Sequence, residues 1–217
     1  MQRRPLALAT AIFVTAALTV ASLTGAAGSI SKSATQTAPQ GADTPKLATA
    51  VFAGGCFWCV ESDFEKLDGV ASAVSGYSGG LLENPTYRNH EGHVEAVEVT
   101  YDPSVVTYRT LVDYLLRHID PLDADGQFCD RGHSYTSAIF AANADEWAAA
   151  EAAVADAEKT LGERIATPVL DRGAFWIAED YHQDYYKKNP LRYKYYRTAC
   201  RRDARVRQVW GDPDHAE

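Results

Sequence analysis

The sequence predicts an α+β fold: a two-layer α/β sandwich in which helices pack against a mixed sheet with a ferredoxin-like core. Short apolar stretches suited to strands alternate with longer stretches in which apolar residues recur at the spacing of an amphipathic helix. Several predicted strands follow one another directly, without a helix between them. This order favours a mixed sheet over a doubly wound parallel sheet.

The predicted strands are short and are bounded by glycine, proline or polar residues. The clearest one is residues 94–101, in which apolar residues alternate with others, so that one face of the strand is apolar. The full set is residues 48–53, 70–77, 94–101, 137–141, 167–170 and 174–177.

Three helices are predicted from apolar stripes at helical spacing. The first begins at Cys56, directly after two glycines, and ends at Gly69. Thr107 is expected to cap the second helix. Asn143 is expected to cap the third, which runs to Leu161.

The composition is that of an ordinary globular protein, with 46% hydrophobic and 23% charged residues. A net charge of −8 argues against a nucleic-acid partner held by a basic surface. The C-terminal segment from Glu179 is rich in tyrosine and is predicted to form a helix and then a loop. Its basic cluster is expected to be a solvated helix face and consists of Arg201, Arg202, Arg205 and Arg207.

The N-terminal segment, residues 1–27, has the layout of a secretory signal peptide. Two arginines precede an uncharged stretch at residues 5–24, and small residues follow. An uncleaved membrane anchor is the alternative, because about 20 apolar residues can span a bilayer. Residues 28–46 are predicted to be a flexible linker and residues 47–217 the folded domain. Either way, we expect export to the periplasm or cell envelope.

The chain has four cysteines, and two structural disulfides are the simplest expectation for an exported protein. The C-x-x-C spacing of Cys56 and Cys59 is more typical of redox or metal chemistry. Zinc would need a second pair of ligands at matching spacing, and Cys129 and Cys200 stand alone. No metal site is therefore expected.

Cys56 is placed where a strand turns into a helix. Unpaired N–H groups and the helix dipole at such a position favour a thiolate, so a lowered pKa is expected for this cysteine. Gly54 and Gly55 allow the tight turn and are expected to leave the sulfur accessible. Trp58 falls outside the apolar stripe of the helix, so it is expected to line a pocket beside the sulfur.

Glu95 lies on the same strand face as Val97, Val99 and Tyr101. Burial would raise the pKa of this carboxyl and keep it protonated. The alternative is a strand-end glutamate that reaches solvent or a partner. A thiolate beside a protonated carboxyl suits reduction of a sulfoxide, in which the thiolate attacks sulfur and the acid protonates oxygen. A second cysteine would then condense with the sulfenic acid, and a dithiol would reset the disulfide.

A series of motifs in this chain resembles the A-type methionine sulfoxide reductases, in the same order and over residues 48–196. No single motif is decisive, but the ordered set is specific. The motifs are Gly55-Cys56-Phe57-Trp58, Gly76-Tyr77-Ser78-Gly79-Gly80, Asn84-Pro85-Thr86-Tyr87, Gly92-His93-Val94-Glu95-Ala96-Val97, Tyr101-Asp102-Pro103-Ser104-Val105, Asp130-Arg131-Gly132, Tyr135 with Ser137-Ala138-Ile139, Ala178-Glu179-Asp180-Tyr181-His182-Gln183 and Lys188-Asn189-Pro190.

The resemblance implies a two-layer α/β sandwich and a peptide-methionine (S)-S-oxide reductase without metal or organic cofactor. The expected substrate is the S epimer of methionine sulfoxide, free or in oxidised proteins. Thioredoxin or a similar dithiol is the expected reductant, and we expect a monomer. By this resemblance Cys56 is the nucleophile and Glu95 the acid that handles the sulfoxide oxygen. The other implied site residues are Tyr87 and Tyr135 at that oxygen, Asp130 in the substrate pocket, and Phe57 and Trp58 around the substrate methyl group.

The resolving cysteine stays open among Cys59, Cys129 and Cys200. Cys59 replaces a glycine that is common in the family and lies one helical turn from Cys56. Cys200 lies in the C-terminal region, where many relatives carry their resolver. We favour Cys59, keep Cys200 as the alternative, and expect Cys129 to be a small residue packed beside Asp130.

Two other functions are compatible with parts of the sequence. A general thiol–disulfide oxidoreductase would use Cys56 and Cys59, but it gives Glu95, Tyr87 and Tyr135 no role. A non-enzymatic exported domain would carry two disulfide bridges and no reactive thiol.

Overall fold

The structure is a computed structural model, and it describes residues 46–211. The signal peptide or anchor predicted for residues 1–27 lies outside the described residues, as does nearly all of the linker predicted for residues 28–46. Within residues 46–211, the helices are too short or too polar to cross a membrane.

The sheet that forms one layer has six strands and is mixed. β6 and β7 pair in parallel, and the other neighbours in the sheet pair antiparallel. The strand order is β7-β6-β1-β3-β2-β8, and β4 and β5 form a separate small hairpin. The bounds are β1 (Ala48–Gly54), β2 (Val70–Ser78), β3 (Val94–Tyr101), β4 (Gly126–Gln127), β5 (Asp130–Arg131), β6 (Ser137–Ala141), β7 (Val169–Asp171) and β8 (Trp176–Ile177).

The helices have the bounds α1 (Phe57–Phe64), α2 (Tyr108–His118), α3 (Ala144–Leu161), α4 (Tyr185–Lys188), α5 (Pro190–Ala199) and α6 (Arg202–Trp210). The chain order β1-α1-β2-β3-α2-β6, with β6-β1-β3-β2 as neighbours in the sheet, is the ferredoxin-like arrangement. This confirms the predicted α+β sandwich.

The helix caps lie where the sequence places them. The Thr107 side chain accepts a hydrogen bond from the Thr110 backbone N–H at 3.1 Å, which satisfies one free donor of α2. At the start of α3, the Asn143 side chain likewise accepts a hydrogen bond from the Glu146 backbone N–H at 3.0 Å. Helix α1 is shorter than predicted, because the chain leaves the α-helical pattern after Phe64 and turns toward β2.

The main core lies between the sheet and helices α1, α2 and α3. Alternate residues of β1 point to opposite faces, so Ala50 and Phe52 join this core, while Val51 and Ala53 join a smaller cluster on the other face. Phe52 stacks on Phe64 of α1 at a centroid distance of 5.2 Å. Strand β3 therefore presents the face that carries Glu95 to the helix layer.

The C-terminal segment differs from the prediction of a helix followed by a loop. It contains three helices, and α6 packs against α2. The prediction that its basic cluster is a solvated face is wrong for Arg202, which is 2% exposed. This guanidinium donates to the His118 carbonyl at 3.0 Å and lies over the Phe128 ring, so packing and hydrogen bonds hold α6 in place.

Cys129 and Cys200 form a disulfide that joins the turn between β4 and β5 to the end of α5. The prediction that Cys129 is merely a small packed residue is therefore wrong. Cys56 and Cys59 are free thiols, so the expectation of two structural bridges is wrong as well.

Candidate active site

The turn that presents Cys56 depends on Gly55. Gly55 has φ +81°, and a Cβ there would lie 2.4 Å from Cβ of Gln127. The Gln127 side chain is fixed in turn by hydrogen bonds to the backbone of Asp120, at 2.8 and 2.7 Å. Cys56 therefore lies at the N-cap of α1 with its carbonyl already accepting from the Cys59 N–H at 3.0 Å.

The Cys56 thiol is buried and protonated, contrary to both expectations for it. The residue is 5% exposed, so the predicted accessible sulfur is wrong. Burial raises the pKa of Cys56 well above its usual value, and the neighbouring Cys59 and Glu95 raise it further. These effects outweigh the lowering of the pKa that the N–H groups and dipole at the helix start would cause. The prediction of a lowered pKa for Cys56 is therefore wrong.

Cys59 lies one turn further along α1 and is the more acidic thiol of the pair. Its hydrogen bond with Cys56 lowers the pKa of Cys59 to about 7, although burial opposes this. The nearby positive charges of Arg202 and Arg197 act in the same direction as the hydrogen bond. The structure thus places two thiols in contact, with a thiolate favoured on the second.

Glu95 reaches from β3 to the start of α1. Its carboxylate accepts a hydrogen bond from the Phe57 backbone N–H at 3.0 Å, and the residue is 2% exposed. Burial raises the pKa of Glu95 to about 8, and the charge of Asp130 adds to this. The prediction that Glu95 is buried with a raised pKa is confirmed. The alternative of a glutamate that reaches solvent is wrong, and the partner that the carboxyl group reaches is the Phe57 backbone N–H.

Tyr87 and Tyr135 flank Glu95, although they come from separate loops. Their hydroxyl groups are hydrogen-bond partners, and the charge of Glu95 raises the pKa of each in addition to the larger effect of burial. The Tyr87 backbone N–H donates to the Glu179 carboxylate at 2.9 Å, which holds its loop. Tyr135 ends a short 3₁₀ turn, His133–Tyr135. The two hydroxyl groups and the carboxyl group therefore form one cluster.

The aromatic residues after Cys56 have different environments. Phe57 is buried, with its ring centroid 4.9 Å from that of His182 and 6.5 Å from that of Tyr87. Trp58 is partly buried and stacks on Tyr185 at 3.7 Å, and its indole N–H donates to Nδ1 of His182 at 3.1 Å. Trp58 thus lies in an aromatic wall with Tyr185 and His182, and its place in a pocket beside the Cys56 sulfur stays a prediction.

Asp130 is half-buried and hydrogen-bonds with the Tyr196 hydroxyl. The same hydroxyl is a hydrogen-bond partner of Cys56 and lowers the pKa of that thiol against the larger effect of burial. Neither Tyr196 nor His182 was predicted to be a site residue. A tyrosine-rich segment was the available signal, but it does not indicate which ring faces the thiol.

Two groups in the described residues have metal-binding chemistry, and both have other partners. Glu61, Glu65 and Asp184 lie close together, but the Lys187 ammonium is 2.6 Å from Glu65 and 2.8 Å from Asp184. Asp130 lies close to Cys129 and Cys200, whose sulfurs are joined in the disulfide.

Known proteins match the chain in both sequence and structure. A family model described as peptide methionine sulfoxide reductase matches residues 48–214. Peptide methionine sulfoxide reductase MsrA 2 of Rhizobium meliloti is 53% identical over 169 residues, which cover 77% of this chain and 85% of that protein. MsrA of Bacillus licheniformis is 46% identical over 176 residues, or 76% of this chain and 95% of that protein.

Solved structures give the same family. Methionine sulfoxide reductase A of Corynebacterium diphtheriae superposes with a TM-score of 0.61 at 33% identity, covering 69% of this chain and 78% of that one. Mxr1 of Saccharomyces cerevisiae in reduced form superposes with a TM-score of 0.62 at 29% identity, covering 66% of this chain and 86% of that one. With the family model matching most of the domain that holds Cys56 and Glu95, the chain belongs to the peptide methionine sulfoxide reductases, and to their A type.

Proposed function

We propose that this chain is an oxidoreductase that reduces the S epimer of methionine sulfoxide, free or in proteins, to methionine. The observation that carries the proposal is the pairing of the Cys56 thiol with a buried carboxyl whose pKa is raised to about 8. That carboxyl, Glu95, holds its proton at neutral pH and can donate it. Sulfoxide reduction needs both a soft nucleophile for sulfur and a proton for oxygen.

The first chemical step starts with proton movement between the two thiols. With a pKa of about 7, Cys59 is partly ionised at neutral pH, and its thiolate takes the Cys56 proton along the hydrogen bond between them. The Cys56 thiolate attacks the substrate sulfur, and Glu95 donates its proton to the sulfoxide oxygen. The sulfur–oxygen bond of the substrate breaks and the hydroxyl passes to the Cys56 sulfur, so methionine leaves reduced by two electrons and Cys56 is oxidised to a sulfenic acid. Tyr87 and Tyr135 assist at the oxygen.

Cys59 is the resolving cysteine in this mechanism. Its thiol attacks the sulfenic acid, a Cys56–Cys59 disulfide forms, and one water leaves. Contact between the two thiols supports this choice. The alternative resolver, Cys200, is already bonded to Cys129 and would first have to be released from that bridge.

An external dithiol then reduces the Cys56–Cys59 disulfide by thiol–disulfide exchange. We propose thioredoxin or a similar dithiol for this role, on family resemblance. We further propose that the chain acts outside the cytoplasm, in the periplasm or cell envelope, and that it acts as a monomer. The layout of residues 1–27 supports export, through a cleaved signal peptide or an anchor.

The two other functions explain less of the site. A non-enzymatic domain would have paired all four cysteines, but Cys56 and Cys59 are free. A general thiol–disulfide oxidoreductase would use those thiols, but it has no use for a buried carboxyl flanked by Tyr87 and Tyr135.

The experiment gives the pre-reduced chain each epimer of methionine sulfoxide separately, without reductant, and measures methionine per chain. The S epimer should yield about one methionine per chain, and the R epimer far less. Cys56→Ser should yield none, because an alcohol is a much weaker nucleophile at neutral pH. Absence of methionine from the wild-type chain with either epimer would refute the proposal.

A further inference from the structure

Tyr196 stands between Cys56 and Asp130. Its hydroxyl is a hydrogen-bond partner of both the Cys56 thiol and the Asp130 carboxylate, and its ring meets the edge of Trp58 at 6.0 Å. Tyr196 belongs to α5, whereas Asp130 begins β5. The hydrogen bond between them therefore joins the C-terminal helices to the wall of the active site.

The Cys129–Cys200 disulfide spans the same two elements. Cys129 precedes Asp130 in the chain, and its sulfur lies 3.9 Å from an oxygen of that carboxylate. Cys200 follows Tyr196 by one helical turn, and its backbone N–H donates to the Tyr196 carbonyl at 2.9 Å. The bridge brings the two Cα atoms to 4.9 Å. It thus fixes both ends of the Tyr196–Asp130 contact.

Packing and charge hold one face of α5, where Tyr193 is buried and Arg197 pairs with Asp63 of α1 at 2.9 Å. Leu191 and Tyr195 of α5 are 84% and 78% exposed, so they contribute little packing to hold the helix. The β4–β5 hairpin has only two residues in each strand. A covalent link between such elements removes freedom that their packing leaves.

We propose that Tyr196 is a further catalytic residue, and that the Cys129–Cys200 bridge is a positioning element that holds its hydroxyl against Cys56. The inference rests on the proposed function. It gives the second cysteine pair a role in the sulfoxide step itself, upstream of any exchange with the reductant.

The chemistry follows from the single proton of the Tyr196 hydroxyl. While Cys56 is a thiol, this proton is donated to Asp130. Once Cys56 ionises, the hydroxyl can turn and donate to the buried thiolate, which burial otherwise disfavours. A hydrogen bond to a charged group changes such an ionisation equilibrium by roughly 10- to 100-fold. Loss of the bridge lets Tyr196 drift from that position.

The test is a double-mutant cycle with Tyr196→Phe and the bridge-free variant Cys129→Ser/Cys200→Ser. The methionine-release rate in a single turnover is measured for each variant and for their combination. We expect each change alone to slow release by about tenfold or more. In the Tyr196→Phe background, removing the bridge should slow release by less than about twofold, because the affected hydroxyl is already gone.

Three results would overturn the inference. They are unchanged release without the bridge, unchanged release in Tyr196→Phe, and additive effects of the two changes. Slower steady-state turnover with unchanged single-turnover release would also count against it, because the bridge would then serve the exchange with the reductant.

A second measurement keeps this test separate from the proposed function. The rate of alkylation at Cys56 by iodoacetamide is followed against pH by mass spectrometry, with no sulfoxide present. The apparent pKa should rise in Tyr196→Phe and in the bridge-free variant, and no further in their combination. If the bridge-free variant does not fold, the bridge is reduced chemically in the wild-type chain and the same profile is recorded. An unmoved profile would overturn the inference even if the chain reduces sulfoxides.

Discussion

The Glu95 carboxylate accepts a hydrogen bond from the Phe57 backbone N–H at 3.0 Å, across 38 positions of sequence. Phe57 is the first residue of α1 and follows Cys56, so this bond fixes the acid at the helix start that presents the thiol. A free N–H at a helix start would stabilise a carboxylate, yet burial dominates and the carboxyl group keeps its proton.

Glu95→Gln should slow methionine release in a single turnover by about 10²–10⁴-fold, because the amide keeps the shape but cannot donate a proton as an acid. Rapid-quench measurement of methionine gives the rate. Glu98→Gln is the matched control on the same strand, since Glu98 pairs with Arg172 away from the thiols. Equal rates in both variants would leave Glu95 without a role as the acid.

The pH dependence of the first step should follow the same carboxyl group. Only protonated Glu95 can supply the proton, so release should fall as pH rises through about 8. The rate is measured from pH 6 to pH 9.5 with pre-reduced chain, roughly the range that brackets this pKa. In Glu95→Gln this fall should vanish from the remaining slow rate. A fall of the same size in the variant would assign the pH dependence to another group.

Stability should depend on pH with a definite sign. The folded state holds the Glu95 proton up to about pH 8, whereas an unfolded chain releases it near pH 4.3. The stabilisation from the bound proton is therefore complete below the unfolded pKa and is lost as pH rises to the folded pKa. In urea unfolding between pH 5 and 8, the free energy of unfolding should fall more steeply with pH in the wild type than in Glu95→Gln. The same dependence on pH in both proteins would contradict this prediction.

Gly55→Ala should destabilise the chain and impair the active site together. The new Cβ would have to displace Gln127, and alanine at φ +81° is itself strained, at about 1–3 kcal/mol. Gly132→Ala is the control, because it has a positive φ but open space around its Cβ. Thermal unfolding and methionine release are compared. A smaller loss of stability for Gly55→Ala than for Gly132→Ala would contradict the close approach of Gln127.

Much of the fold can be predicted from local sequence, because strands show alternating apolar residues and helix starts show capping residues. Alternation in β3 places Glu95 on a buried face, and Thr107 and Asn143 mark helix starts. The pKa of Cys56 could not be predicted in this way. It depends on burial and on neighbours such as Glu95, which only the tertiary fold brings to the helix start.

The C-terminal part of the site was least predictable for the same reason. Arg202 looks like a surface residue in a basic cluster, but its partners are the Gly54 and His118 carbonyls and the Phe128 ring. Tyr196 is one of several tyrosines in its segment. Long-range contacts of this kind leave no periodic pattern in the sequence.

The choice of resolving cysteine leads to a clear expectation for Cys59→Ala. This variant should still yield about one methionine per chain, at a lower rate, since the nucleophile and acid remain. It should fail to turn over with a dithiol protein such as thioredoxin, because no Cys56–Cys59 disulfide can form for exchange. Normal steady-state turnover in Cys59→Ala would show that another cysteine resolves.

Disulfide mapping after one turnover tests the central mechanism most directly. Chain in which all four cysteines have been reduced is given one equivalent of the S sulfoxide, free thiols are blocked, and the bridges are identified by mass spectrometry. Our account predicts a Cys56–Cys59 disulfide, even though the Cys200 thiol is free to compete for the sulfenic acid. A bridge between Cys56 and Cys200, with Cys59 still a free thiol, would contradict it.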